Sequence, residues 1–400
     1  MPNLQISKRV LAINPSPMYA ITALAAKLKA EGKEIIGLIA GEPDFDTPQN
    51  IKISAIEAIN KGFTKYTAVG GIPSLKQAIV AKFKRDNDLH YTPEQILVSC
   101  GGKQGFFNLV LAVVNPGDEV IISAPYWPDH PDIVRIAESK PVIVQAGIEQ
   151  GFKLTPAQLN AAITPRTRML VINSPNNPSG AVYTLDEYKA LGEILRKHAD
   201  ILIVTDDIFE HFLPTETKFV NILNACPDLY PRTLVLNGVS KAYAMTGWRI
   251  GYVAGPKPIL AAMENVQSQS TSNPTSFSQL AAETALNTDQ SCRAPINKAF
   301  SERHSFVVNA LNRIPGMNCL EAGGTFFAFP DVRSAMLTLH ARGRIKAASD
   351  IQLSEYLLEQ AGVLVWPGSV FGSEGYIRLS CANSMENLEQ AISRISQALT

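Results

Sequence analysis

The sequence has no excess of charge of either sign. Its 36 basic residues are matched by 36 acidic ones, which argues against a broad electrostatic surface for nucleic acid or an anionic membrane. No apolar run approaches the roughly 18 residues needed to cross a bilayer. The opening stretch MPNLQISKRVLAINPSPMYA lacks the continuous apolar core of a secretory signal, so a cytoplasmic location is expected. Cysteine is scarce: Cys100, Cys226, Cys292, Cys319 and Cys381 form an odd, scattered set with no CxxC pair. Neither a disulfide framework nor a metal site is indicated, and the thiols are expected to be buried. The nucleotide-binding pattern GxxxxGK[ST] is absent, which disfavours ATP, and no internal repeat or low-complexity tract is present.

What is present is ample core material. The chain is 46% apolar and 18% charged over 400 residues, too long for one simple core, so a large domain with a smaller companion is expected. QILVSC, DEVIISAP, PVIVQA, RMLVINS, ILIVTDD, RTLVLNG and RIGYVAG read as strands, separated by segments with helical apolar spacing such as KQGFFNLVLAVV and LDEYKALGEILRKH. Runs that are apolar on both faces suit an α/β fold, a mainly parallel sheet flanked by helices. This large domain is assigned to residues 48–290. Residues 1–47 and 291–400 carry a different texture, long helices with short strand-like runs, and read as a smaller α+β domain. Within it RSAMLTLHARGRIKAASD, positions 333–350, reads as a loose basic surface insertion.

In open α/β sheets ligands bind beyond the carboxyl ends of the strands, so the residues that follow each run matter most. QILVSC is followed by Gly101, Gly102 and Lys103, a glycine turn opening a helix whose free N–H groups suit a phosphate. DEVIISAP is followed by Tyr126 and Trp127, RMLVIN by SPNNPSG with Asn176 and Asn177, ILIVT by Asp206, and RTLVLNG by Ser240 and Lys241, with Arg249 shortly after. Taken singly, each has a plain structural explanation as a turn, cap, core aromatic or surface lysine. Together, a phosphate cradle, a flat aromatic, a carboxylate and a reactive lysine are the parts needed to hold pyridoxal phosphate.

The ordered series AGEPDFDTP, KYTAVGGIPSLKQAI, GGKQGFFNL, PYW, SPNNPSGAVY, DDIFEH, SKAYAMTGWRIGY, QSTSNPTS and YIRLS resembles the fold-type I, class I aminotransferases, in particular the bacterial aspartate aminotransferase branch. The resemblance runs over nearly the whole chain. It implies that Lys241 binds the cofactor covalently and then shuttles a proton at the substrate α-carbon. It further implies that Asp206 pairs with the pyridine nitrogen, that Trp127 stacks on the ring, and that Asn177 bonds the phenolic oxygen. Gly101, Gly102, Lys103, Ser240 and Arg249 would surround the phosphate. Tyr66 and the segment around Ser272 would reach the phosphate of a neighbouring subunit, which makes a homodimer the expected assembly. Arg378 would grip the substrate α-carboxylate, helped by Gly41, Trp127 and Asn177. Lys103 meets either a distal carboxylate or the phosphate. Where the family usually reads D-E-I-Y, this chain has Asp206-Asp207-Ile208-Phe209, so a tyrosine hydroxyl near the cofactor is missing. His130 is either a partner of Asp206 or an ordinary loop histidine.

The implied reaction is ping-pong transamination between L-aspartate and 2-oxoglutarate. Phe209 and the PSPMYA stretch leave open an aminotransferase for aromatic amino acids, alanine or prephenate, and a C–S lyase. A non-catalytic, cofactor-binding regulator would carry a DNA-binding domain ahead of this fold, and AGEPDF begins at position 40.

Overall fold

The computed structural model describes residues 5–13, 16–214 and 217–400; Pro15 of the PSPMYA stretch lies outside them. Each of the seven strand-like runs of residues 48–290 forms one strand of a single sheet: β1 Ile96–Ser99, β2 Glu119–Ala124, β3 Lys140–Gln145, β4 Thr167–Asn173, β5 Leu202–Asp206, β6 Thr233–Gly238 and β7 Gly251–Ala254. Their order is β1-β7-β6-β5-β4-β2-β3. β6, β5, β4, β2 and β3 pair in parallel, and β7 runs antiparallel to both of its neighbours.

The alternation of side chains along a strand explains why the sheet is covered twice. Val98, Ile121, Leu170, Ile203 and Val235 project into one layer, where they meet Leu75, Ile79 and Phe83 of the helix Pro73–Asn87. Leu97, Val120, Ile122, Val171, Val204 and Leu234 project into the other, against Phe106 and Leu109 of the helix Gly102–Val113. A strand with an apolar residue at nearly every position has no face to give to water.

Residues from both ends of the chain build a second core. Ile36–Gly37 pairs in parallel with Val363–Leu364, and Trp366–Pro367, Ile377–Ser380 and Phe327–Ala328 make a three-stranded antiparallel sheet. The helices Arg293–Leu311 and Met385–Leu399 pack Val307, Leu311, Leu388 and Ile392 against it.

Two expectations are corrected. Residues 333–350 are not a loose insertion: Arg333–Ala341 is a helix that buries Ala335, Met336 and Leu339, and Ile345 joins the same core. The exposed Arg333 and His340, with the basic RGRIK that follows the helix, hid an ordinary amphipathic pattern. The thiols are not uniformly buried either, since Cys100 and Cys292 are partly exposed while Cys226, Cys319 and Cys381 are buried; all five are free.

Candidate active site

Parallel pairing delivers the ends of β2, β4, β5 and β6 to one edge of the sheet. β1 ends there too, because Ser99 and Gly238 both lie opposite Gly251. Beyond that edge opens a cleft of about 1580 Å³ whose walls include Gly41, Gly102, Lys103, Trp127, Asn177, Asp206, Ser240, Lys241, Arg249 and Arg378. Tyr66 is not among them: it is 91% exposed and lies outside this chain's own cleft. Ser272 also stands outside, although its neighbours Ser270 and Thr271 line the wall.

Lys241 follows β6 by three residues and donates to the carbonyl of Gly41. Burial drives its pKa down to about 8, with Arg378 and Arg249 adding to the effect and Glu42 and Asp206 opposing it. A sizeable neutral fraction at physiological pH makes the amine a competent nucleophile and proton carrier. Asp206, the last residue of β5, is 5% exposed and lies 3.5 Å from Nε2 of His130. His130 is itself buried in the helix Asp129–Ile136 and stands edge-on to Trp127, with ring centroids 5.1 Å apart. His130 is thus not an ordinary loop histidine but a buried helical one beside Asp206, its Nε2 making no hydrogen bond.

The glycine turn is built for close approach. Gly101 has φ +83°, and a Cβ there would sit 2.3 Å from Nη2 of Arg249; a Cβ on Gly251 would sit 2.3 Å from the backbone nitrogen of Gly102. Only glycine brings β7, the start of the helix Gly102–Val113 and Arg249 together. Arg249 donates to the carbonyls of Thr246 and Cys100 and has no carboxylate partner among the described residues. A helix N-terminus beside an uncompensated guanidinium is a ready anion site.

Arg378, from the strand Ile377–Ser380, is 5% exposed. It donates to Oδ1 of Asn177 at 3.0 Å and to the carbonyl of Ile39 at 2.8 Å, while its Nε is buried without a partner. Burial alone pushes its pKa down to about 9, and no described carboxylate pairs with it. Lys103, by contrast, already has an anion: its Nζ lies 2.8 Å from Asp129 and 5.2 Å from the Trp127 ring centroid. A strand-end carboxylate, an anion cradle, a half-buried lysine and an orphaned guanidinium together fit pyridoxal phosphate and a carboxylate-bearing substrate.

The family model "Aminotransferase class I and II" matches residues 33–395. The chain belongs to that family. It is 63% identical over 397 residues, covering 99% of this chain and 100% of the relative, to the aspartate/prephenate aminotransferase of Nitrosomonas europaea. It is 49% identical to that of Cereibacter sphaeroides, over 98% of this chain and 97% of the relative. Among solved structures it is similar to the aspartate aminotransferase of Rhizobium meliloti, with TM-score 0.95, 44% identity and 99% of both chains covered. A second is the Thermus thermophilus aspartate aminotransferase with maleate, with TM-score 0.90, 40% identity and 99% of this chain and 100% of that one covered. The protein is therefore a pyridoxal-phosphate-dependent aminotransferase.

Several parts of this aminotransferase's cleft were not legible as site residues. Met18 and Tyr19, from the helix Pro17–Ala30, line it; in the sequence, the PSPMYA stretch that holds them bears only on substrate choice. Glu42 accepts from Thr246, tying the AGEPDF segment to the Lys241 loop, and Trp366 and Phe371 close the side near Arg378. No spacing signals a Glu–Thr contact between residues two hundred positions apart.

Proposed function

We propose that this aminotransferase takes its amino group from L-aspartate and passes it to a 2-oxo acid, 2-oxoglutarate or prephenate, in two half-reactions. The observation that carries the reading is Arg378, a buried guanidinium with Nε unpartnered and no carboxylate of the described residues beside it. Such a cation is matched by a substrate carboxylate in bidentate contact. The choice of aspartate and prephenate is supported by the names of relatives that align over nearly the full length.

Pyridoxal phosphate, when bound, supplies an electrophilic carbon and a ring that accepts electron density from the substrate α-carbon. In this reading Gly101, Gly102, Lys103, Ser240 and Arg249 hold its phosphate, Asp206 faces its ring nitrogen with His130 behind, Trp127 covers the ring, and Asn177 faces its phenolic oxygen. Lys241 anchors it and, once released, moves a proton at the substrate α-carbon through Nζ. Arg378 fixes the α-carboxylate, and Gly41 closes the same corner. Residues 48–290 and the combined segments 1–47 and 291–400 act as two bodies about the cleft. Two chains pair, so that Tyr66 and the Ser272 segment complete the neighbouring chain's phosphate site. The exposed Ile53, Ile56 and Ile59 near Tyr66 in the sequence offer apolar surface for that pairing. Five free cysteines suit a reducing, cytoplasmic setting.

The test is the visible spectrum of the holoenzyme before and after L-aspartate, with no oxo acid present. Aspartate alone is expected to bleach the cofactor band in a single turnover, and prephenate or 2-oxoglutarate to restore it. A band that survives aspartate moves the substrate elsewhere in the family.

A further inference from the structure

Arg378 poses an electrostatic problem that its hydrogen bonds do not solve. A guanidinium 5% exposed has lost most of its hydration, and buried cations are ordinarily balanced by a carboxylate. Here the two protein acceptors, Asn177 Oδ1 and the Ile39 carbonyl, are neutral. Trp366 Nε1 also donates to the Ile39 carbonyl, at 3.2 Å, so that oxygen is shared. What does flank the cation is aromatic: its guanidinium carbon lies 4.3 Å from the ring centroid of Phe327 and 5.0 Å from that of Phe371. Both rings are buried, at 0% and 1% exposure, so their faces act on the charge without water between.

We propose that Phe327 and Phe371 are positioning residues that stand in for the missing carboxylate, holding Arg378 in a fixed orientation, with its remaining N–H groups free for the substrate. The chemistry favours rings over an acid. A carboxylate would stabilise the cation more strongly, but it would occupy the N–H edge that the substrate needs and would have to be displaced at each turnover. The negative face of an aromatic ring meets a planar guanidinium from the side and leaves that edge open.

The two rings are themselves held. Phe327 belongs to the cluster of Phe209, Phe212, Phe300 and Phe326, and stands edge-on to Phe209 with centroids 5.7 Å apart. Phe371 packs edge-on against Phe329 at 6.2 Å, and its carbonyl accepts from the backbone N–H of Tyr126 at 3.0 Å. That last bond joins the clamp to the loop that carries Trp127. One aromatic wall thus serves both the cofactor side and the carboxylate side of the cleft.

The inference rests on Arg378 being the substrate carboxylate clamp, and the test separates the two. The dissociation constant of maleate, an unreactive dicarboxylate, is measured on holoenzyme from its effect on the visible band, alongside KM and kcat for L-aspartate. Phe371→Leu keeps an apolar side chain but removes the ring. It is expected to weaken maleate binding and raise KM about tenfold with kcat within about twofold, and Phe371→Tyr to recover to within about threefold. Unchanged maleate binding in Phe371→Leu, or equal weakening in the leucine and tyrosine variants, overturns the proposal by reducing the ring to packing. If Phe371→Leu does not fold, Phe327→Leu is read by the same titration and the same criteria. Arg378→Lys tests the underlying reading: maleate binding unaffected by it removes Arg378 from the carboxylate site altogether.

Discussion

Lys241 sits in the cleft at a cost to the ligand-free fold. Its pKa falls from the ordinary lysine value to about 8 because burial disfavours the ammonium. The unfolded chain therefore binds more protons than the native one between about pH 8 and the unperturbed value near 10.4. Below that window the native state carries the whole penalty, and stability recovers as pH rises through it. Ligand-free Lys241→Met is accordingly expected to melt a few degrees above the parent at pH 7, the gap closing by about pH 10.5. Equal melting temperatures at pH 7 would remove the penalty. Phe209 makes a second residue-scale case. Its ring is 3% exposed and its centroid lies 5.8 Å from Lys241 Nζ, at a position where related enzymes usually place a tyrosine. A hydroxyl donor here favours a deprotonated partner. Phe209→Tyr should lower the pH midpoint of the holoenzyme's visible absorption, and an unmoved midpoint in a spectral titration refutes it.

At the scale of elements, the junction of β7 with the glycine turn leaves no room for a side chain. A methyl group on Gly251 would meet the backbone nitrogen of Gly102 at 2.3 Å and the carbonyl carbon of Gly101 at 2.5 Å, and backbone cannot rotate away as a side chain can. Gly251→Ala is expected to cost roughly 1–3 kcal/mol and to release pyridoxal phosphate on gel filtration. Gly247→Ala, with nothing within 4 Å of its new methyl, should do neither; matching melts for the two variants would sink the argument. The strands were the legible part of this molecule. Runs such as RMLVIN and ILIVT are apolar at consecutive positions, and burial on both faces leaves them one arrangement, while Asp206, Asn177 and Lys241 follow directly from where those strands stop. The helix at 333–341 was not legible, because it buries only Ala335, Met336 and Leu339 and runs straight into the basic, glycine-broken RGRIK at 342–346, which gave the whole stretch the texture of a surface loop.

For the whole molecule the open matter is how many chains make one site. If Tyr66 serves a neighbouring cleft, Tyr66→Ala and Lys241→Ala fail in different ways, and a mixed dimer holds one intact site. Mixing the two variants after mild dissociation should restore about one quarter of parental activity, since half the dimers are mixed and half their sites are whole. No recovery after subunit exchange, shown independently by tagged chains, would return Tyr66 to the surface. Contacts of this reach are also what sequence patterning conceals. The pairing of Glu42 with Thr246 and the placing of Phe327 beside Arg378 join segments far apart in the chain, and only the folded core brings them together.

The chain as a whole is neutral, 36 against 36, yet at Arg378 it keeps a positive charge indoors with no described carboxylate to cancel it. A protein so arranged is never indifferent to its medium. If that guanidinium receives the substrate carboxylate as proposed, acetate, formate and citrate compete for it, the buffer becomes a reagent in every assay, and affinities measured in carboxylate buffers will look weaker than those measured in zwitterionic ones.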